Sequence, residues 1–111
     1  MKFSALFIAL LFSSSALADS NINYGVPYTL VTEKDAKSFA IAGVDQKAIS
    51  AKFGPPNMTY TGKNAVGVWI EVWTYLVDPR AARIAHSNYC GFEVFFKDKK
   101  VTDVGIILGG K

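Results

Sequence analysis

The 111-residue sequence is poor in the side chains on which much protein chemistry depends, with one cysteine and one histidine. A single cysteine closes no internal disulfide, so the fold must be held by its core rather than by a covalent staple. His86 and Cys90 are two ligands where a structural zinc takes four, and no second Cys or His exists to complete a site. Nucleophilic catalysis would have to use His86 as its base. Ser87 stands next to it, but sequence neighbours rarely have the geometry of a triad. Gly105, Gly109 and Gly110 follow no strand-to-helix pattern, so no phosphate-binding loop is present. Charge is thin as well. Without Lys2, eleven Lys and Arg face nine Asp and Glu, a net of about +2. That is far from the dense basic stripe of a nucleic-acid protein. Together these absences point to a non-catalytic chain with no cofactor, no metal and no nucleic-acid partner.

Long apolar runs are also scarce, and the one that exists is informative. Lys2 precedes an almost unbroken apolar stretch over residues 3–12, followed by Ser13–Ser15 and then Ala16-Leu17-Ala18 before Asp19. A basic start, a short apolar segment and a small-x-small site predict a secretory signal peptide over residues 1–18, too short for a membrane span. The expected location is the periplasm, with full secretion as the alternative. Asp19 occupies the place where a lipid-bearing Cys would stand, so no lipid attachment is predicted there. The 93 residues after the predicted cut suffice for one domain with a modest core.

Residues 19–30, with Gly25 and Pro27, read as an irregular N-terminal arm, and 31–111 as a single domain. Thr32-Glu33-Lys34-Asp35 resembles a capping box and predicts a helix over 33–40, ended by Gly43. Asp45 caps a second helix, which runs to Phe53 with Ala48, Ile49 and Phe53 on its inner side. Gly54 is expected in a left-handed cap position, and Pro55-Pro56 forbid continuation. Beyond Pro56 the period becomes extended, predicting strands over 58–61, 66–77, 89–97 and 101–108. In the last hairpin, Cys90, Phe92, Val94 and Phe96 share one face, which predicts a buried, unreactive Cys90. A three-residue turn at 98–100 would set Val94 opposite Val104 and Phe92 opposite Ile106. The strand over 66–77 is apolar on both faces, although two short helices can cover only one. The expected fold class is therefore α+β, two N-terminal helices packed on an antiparallel sheet of three or four strands.

Phe53-Gly54-Pro55-Pro56, Trp73-Thr74-Tyr75 and Phe95-Phe96-Lys97-Asp98-Lys99-Lys100-Val101 resemble the small outer-membrane lipoprotein A family of BamE-like domains. The similarity spans roughly residues 44–104. It implies two helices on a three-stranded antiparallel sheet and a role in supporting outer-membrane protein assembly, with contact to anionic lipid in some members. The same architecture recurs in β-lactamase inhibitor proteins. The resemblance also implies that Trp73 and Tyr75 are core residues.

Five residues stand out as candidates for protein binding: Trp69, Glu71, Trp73, Arg80 and Arg83. Aromatics bury large area at little entropic cost, and Arg80 and Arg83 lie in a loop with Ile84 that could meet an acidic partner or anionic headgroups. Glu71 and Glu93 are both on strands and could be cross-strand neighbours. The leading expectation is a periplasmic binding or assembly-support module with an envelope protein as partner. The alternatives are a secreted inhibitor of an enzyme and a small-ligand-binding accessory module.

Overall fold

The structure, a computed structural model, describes residues 19–80 and 88–109. The predicted signal peptide, Arg83, Ile84 and His86 lie outside the described residues. Seven elements follow in order: β1 (Asp19–Ile22), α1 (Glu33–Phe39), α2 (Gln46–Phe53), β2 (Met58–Lys63), β3 (Trp69–Leu76), β4 (Tyr89–Lys97) and β5 (Lys100–Leu108).

Both helices start on the residues whose side chains can replace missing backbone acceptors. Thr32 Oγ1 accepts from the Asp35 N–H at 3.2 Å, and Asp45 Oδ1 accepts from the Ala48 N–H at 2.9 Å. Glu33 and Asp35 add negative charge at the positive end of α1. At Gly54 the chain leaves α2 with φ 82° and ψ −170°. The positive φ is as expected, but ψ is extended rather than left-handed helical. Pro55 accounts for the difference, since a residue before proline is kept out of helical ψ, and only glycine takes this combination readily.

The five strands form one antiparallel sheet in sequence order, β1-β2-β3-β4-β5, with both helices inserted between β1 and β2. The architecture is α+β, but with five strands rather than three or four, and a strand precedes the helices. The extra strand is β1. Its sequence Asp-Ser-Asn-Ile has no apolar alternation, and all four residues are exposed. It forms because it finishes the edge of β2, pairing Asp19 with Thr61 through to Ile22 with Met58. Buried Asn57 secures the segment that follows. Its Nδ2 donates to Val26 O at 3.0 Å, its Oδ1 accepts from Leu76 N–H at 2.7 Å, and its carbonyl accepts from Asn23 N–H.

Directly opposed residues share a sheet face, so the register assigns the faces. Trp73 opposes Val94 and Tyr75 opposes Phe92, which in turn oppose Val104 and Ile106. This is the face the helices cover. Ala36, Ala40, Ile49 and Phe53 pack there against Tyr75, Phe92, Val94 and Phe96. Phe53 makes edge contacts with Phe39, Tyr75 and Phe92, and Tyr75 stacks on Phe92 at 4.9 Å between centroids. The two buried phenols keep their hydrogen bonds, Tyr75 to Gly54 O and Tyr89 to Val31 O, both at 2.9 Å. Burial pushes both phenols up from their ordinary values, with Glu33 and Asp35 adding to the effect at Tyr89.

The last hairpin has the expected pairs, Val94 with Val104 and Phe92 with Ile106, but for a different reason. Its turn has two residues, Asp98 (φ 52°) and Lys99 (φ 65°), between paired Lys97 and Lys100. Two positive φ angles are the signature of a type I′ turn. The third residue enters as a bulge on β5, where Phe95 and Phe96 oppose Asp103 and Val101, leaving Thr102 extra. Thr102 Oγ1 donates to Phe95 O at 3.2 Å.

A second bulge corrects the expectation for Cys90. Tyr89 opposes Leu108 and Gly91 opposes Ile107, so Cys90 is the extra residue on β4. The bulge restarts the alternation, giving the core-facing place to Tyr89 and leaving Cys90 exposed. Its Sγ reaches Asn88 O at 3.4 Å. A thiol reagent should therefore label Cys90 in the folded protein about as fast as in urea. Labelling that is slow until the chain unfolds would show the thiol to be covered.

Candidate functional site

Among the described residues, the side of the sheet that α1 and α2 leave free is the most distinctive surface. Two rows of cross-strand neighbours define it: Ser20–Tyr60–Val72–Phe95–Asp103, and Ile22–Met58–Thr74–Glu93–Gly105. Leu76, Gly91 and Ile107 continue it at one end, and Ile70 lies opposite Gly62 at the other. Antiparallel sheets that face water on one side normally carry polar residues there. Here the outward places hold Met58, Tyr60, Ile70, Val72, Leu76, Phe95 and Ile107.

These side chains cover one another where α1 and α2 do not. Val72 is 8% exposed although it stands apart from the helix-side cluster. The Tyr60 ring lies along its own strand above Gly62, and a Cβ there would meet the ring. The Phe95 ring reaches across to Gly105, with Cε1 at 3.5 Å from where a Cβ would stand. Glycines at these two positions let aromatic rings lie flat on the sheet. Glu93 sits among them, half-buried, with Thr74 on one side and Gly105 on the other.

Desolvation raises the Glu93 carboxyl above its ordinary value. A carboxyl raised by folding weakens the fold where it is ionised in both states, and the penalty disappears as pH falls through the folded value into the ordinary range. Glu93→Gln is thus expected to raise the unfolding midpoint at pH 7 and to leave it unchanged at pH 3. Equal gains at both pH values would locate the effect in packing rather than ionisation.

The candidates named from sequence lie elsewhere. Trp69, Glu71 and Trp73 occupy the odd places of β3 and share the helix side, while the even places make the open face. Trp73 packs on the core, edge to face with Phe96 at 4.8 Å. Glu71 serves that packing, accepting from Gln46 Nε2 at 2.9 Å and from Trp73 Nε1 at 2.8 Å. Glu71 and Glu93 are not neighbours, because they point to opposite faces. Trp69 is 45% exposed at the strand's start, with Lys63 Nζ 5.7 Å from its ring centre. Asp78 receives the Arg80 N–H and caps the turn opened by Pro79, and it pairs with the Arg80 guanidinium at 3.0 Å. That pair raises the Arg80 pKa further, its hydrogen bond to Asp78 being the larger cause.

A further concavity among the described residues is small. A shallow apolar groove of about 210 Å³ runs between Val26–Thr29, Phe53, Pro55 and Tyr75, below the range of roughly 300–1,000 Å³ for small-molecule sites. Among the described residues no three of His, Cys, Asp and Glu gather as a metal site would require. Nor is any helix among them long and apolar enough to cross a membrane. No protein-family model, no curated protein and no solved structure matches the chain.

Proposed function

We propose that this chain is an exported, non-catalytic binding module of the BamE-like kind, engaging an envelope protein through the open face of its sheet. One observation carries the reading: α1 and α2 cover one side of the sheet, while no helix among the described residues covers the other, where Tyr60, Phe95 and Ile107 are part-exposed around the buried Val72. A contiguous apolar patch on a folded domain tends to mark an interaction site. Two helices on an antiparallel sheet agree in outline with the family the sequence resembles. The five strands exceed the three that the resemblance implies.

Photo-crosslinking in intact cells tests the reading. A crosslinker replacing Tyr60 or Phe95 should yield a protein adduct, whereas one replacing Lys47, on α2, should not. Trp69→Ala, on the helix side, should leave the adduct yield unchanged. Adducts from Lys47 alone would move the binding surface to the helices. Recovery of the whole protein from culture medium would favour the secreted-inhibitor alternative.

A further inference from the structure

The sheet ends on β5, and the outer edge of that strand is only partly occupied. At the hairpin end, the chain between the helices lies along it. The Val101 N–H donates to Val44 O at 2.7 Å, and Val101 O accepts from the Gly43 N–H at 2.9 Å. Further on, the Val104 N–H is taken by the carboxylate of its neighbour Asp103 at 2.9 Å. Val104 therefore turns its backbone groups away from β4. Gly109 turns its own the other way, bonding both to Asn88 just before β4. Backbone groups alternate sides along a strand, so Ile106 and Leu108 face outward together with Val104. Among the described residues no strand lies beyond β5, and nothing bonds the Val104 C=O, the Ile106 N–H and C=O or the Leu108 N–H. Exposed edges are normally guarded by lysine, proline or other charge. Residues 104–108 have none of these, and Leu108 is 59% exposed. The opposite edge, β1, is polar by contrast.

This open stretch is centred on Ile106, which makes it complementary to itself. Laid antiparallel on a second copy about a two-fold axis at Ile106, each Ile106 N–H would donate to the other Ile106 carbonyl. Each Leu108 N–H would donate to the other Val104 carbonyl. The donor that such a pairing cannot use, the Val104 N–H, is the one Asp103 already holds. The length fits as well. A partner strand running on towards Val101 would meet Gly43 and Val44, so it must end opposite Val104, and the two-fold axis places there the residue on which β5 ends, Leu108. Val104 would face Leu108 across the seam and Gly105 would face Ile107, so apolar residues meet on both sides of the sheet. The two Asp103 carboxylates would stand at opposite ends of it. We propose that this chain forms a two-fold dimer in which residues 104–108 of β5 pair with the same residues of a second copy, joining two five-stranded sheets into one. The seam runs along an edge and leaves the open face free for the partner proposed above.

Sedimentation of the purified protein tests this, under reducing conditions that keep Cys90 from linking chains. The mass should double reversibly as concentration rises. Hydrogen exchange at the Ile106 and Leu108 amides should slow as the dimer forms, whereas exchange at the Val104 amide should not change. Leu108→Lys, at an exposed position, should keep the unfolding midpoint measured in dilute solution. It should weaken the dimer at least about tenfold, because two-fold symmetry makes the substitution twice. Ile22→Lys, on β1, should leave the dimer as tight as before. A single-chain mass at every concentration would overturn the proposal. So would a dimer that Leu108→Lys leaves intact, or one whose protection falls on β1 or on Tyr60 and Phe95.

Discussion

A Phe92→Ala chain is expected to lose about 3–5 kcal/mol of stability, the usual cost of emptying a core aromatic site. Phe92 is fully buried, stacked on Tyr75 and edge-on to Phe53 at 5.2 Å. It is where α2, β3 and β5 meet on β4, so few neighbours are free to collapse into the space it leaves. Small domains are stable by roughly 5–15 kcal/mol, so the loss is a large share of the total. Urea unfolding followed by circular dichroism should show a much lower midpoint at nearly constant slope. A change below about 1 kcal/mol would mean that the aromatic cluster does not hold the helices to the sheet.

Gly91→Ala should be nearly as damaging, although it adds only a methyl group. Gly91 pairs with Leu76 immediately after the Cys90 bulge. A Cβ at this position would drive into the Tyr75 carbonyl and stand 3.2 Å from the Leu76 Cα. Both are backbone atoms and cannot rotate away, so the strands must separate. The expected cost is about 3 kcal/mol, at the upper end for overpacking. Gly105→Ala supplies the comparison, because its Cβ would meet only the edge of the Phe95 ring at an ordinary 3.5 Å. That variant should change stability by less than about 1 kcal/mol. Similar melting curves for the two would mean that the close approach at Gly91 relaxes without strain.

Much of this architecture was legible in the sequence because its signals are local. Thr32, Asp45 and Gly54 mark helix ends through bonds and angles that need no tertiary partner. Strands 89–97 and 101–108 announce themselves by β-branched and aromatic alternation. What escaped was set by pairing at a distance. β1 is polar throughout and is a strand only because β2 lies beside it. The bulges at Cys90 and Thr102 leave no trace in composition, yet one exposes a cysteine that strict alternation buries. The other lets a two-residue turn give the register of a three-residue one. The open face was the hardest to read. β3 is apolar on both sides, so its own pattern does not say whether Trp73 or Val72 faces the helices. The decision comes from β4, where Phe92 and Phe96 are aligned with Tyr75 and Glu71 by register. Trp69 drew notice by size, whereas the residues that make the surface, Tyr60, Phe95 and Glu93, required that register.

The strand order also has a temporal side. β2 to β5 pair only with their neighbours along the chain, so three successive hairpins can build them from short loop closures. β1 is the exception, since its partner β2 begins 36 residues after Ile22 gives out, beyond both helices. The four later strands can therefore assemble without β1, whose arrival awaits the long closure across α1 and α2. Asn57, which bonds Asn23, Val26 and Leu76 together, is the point at which that late arrival becomes fixed.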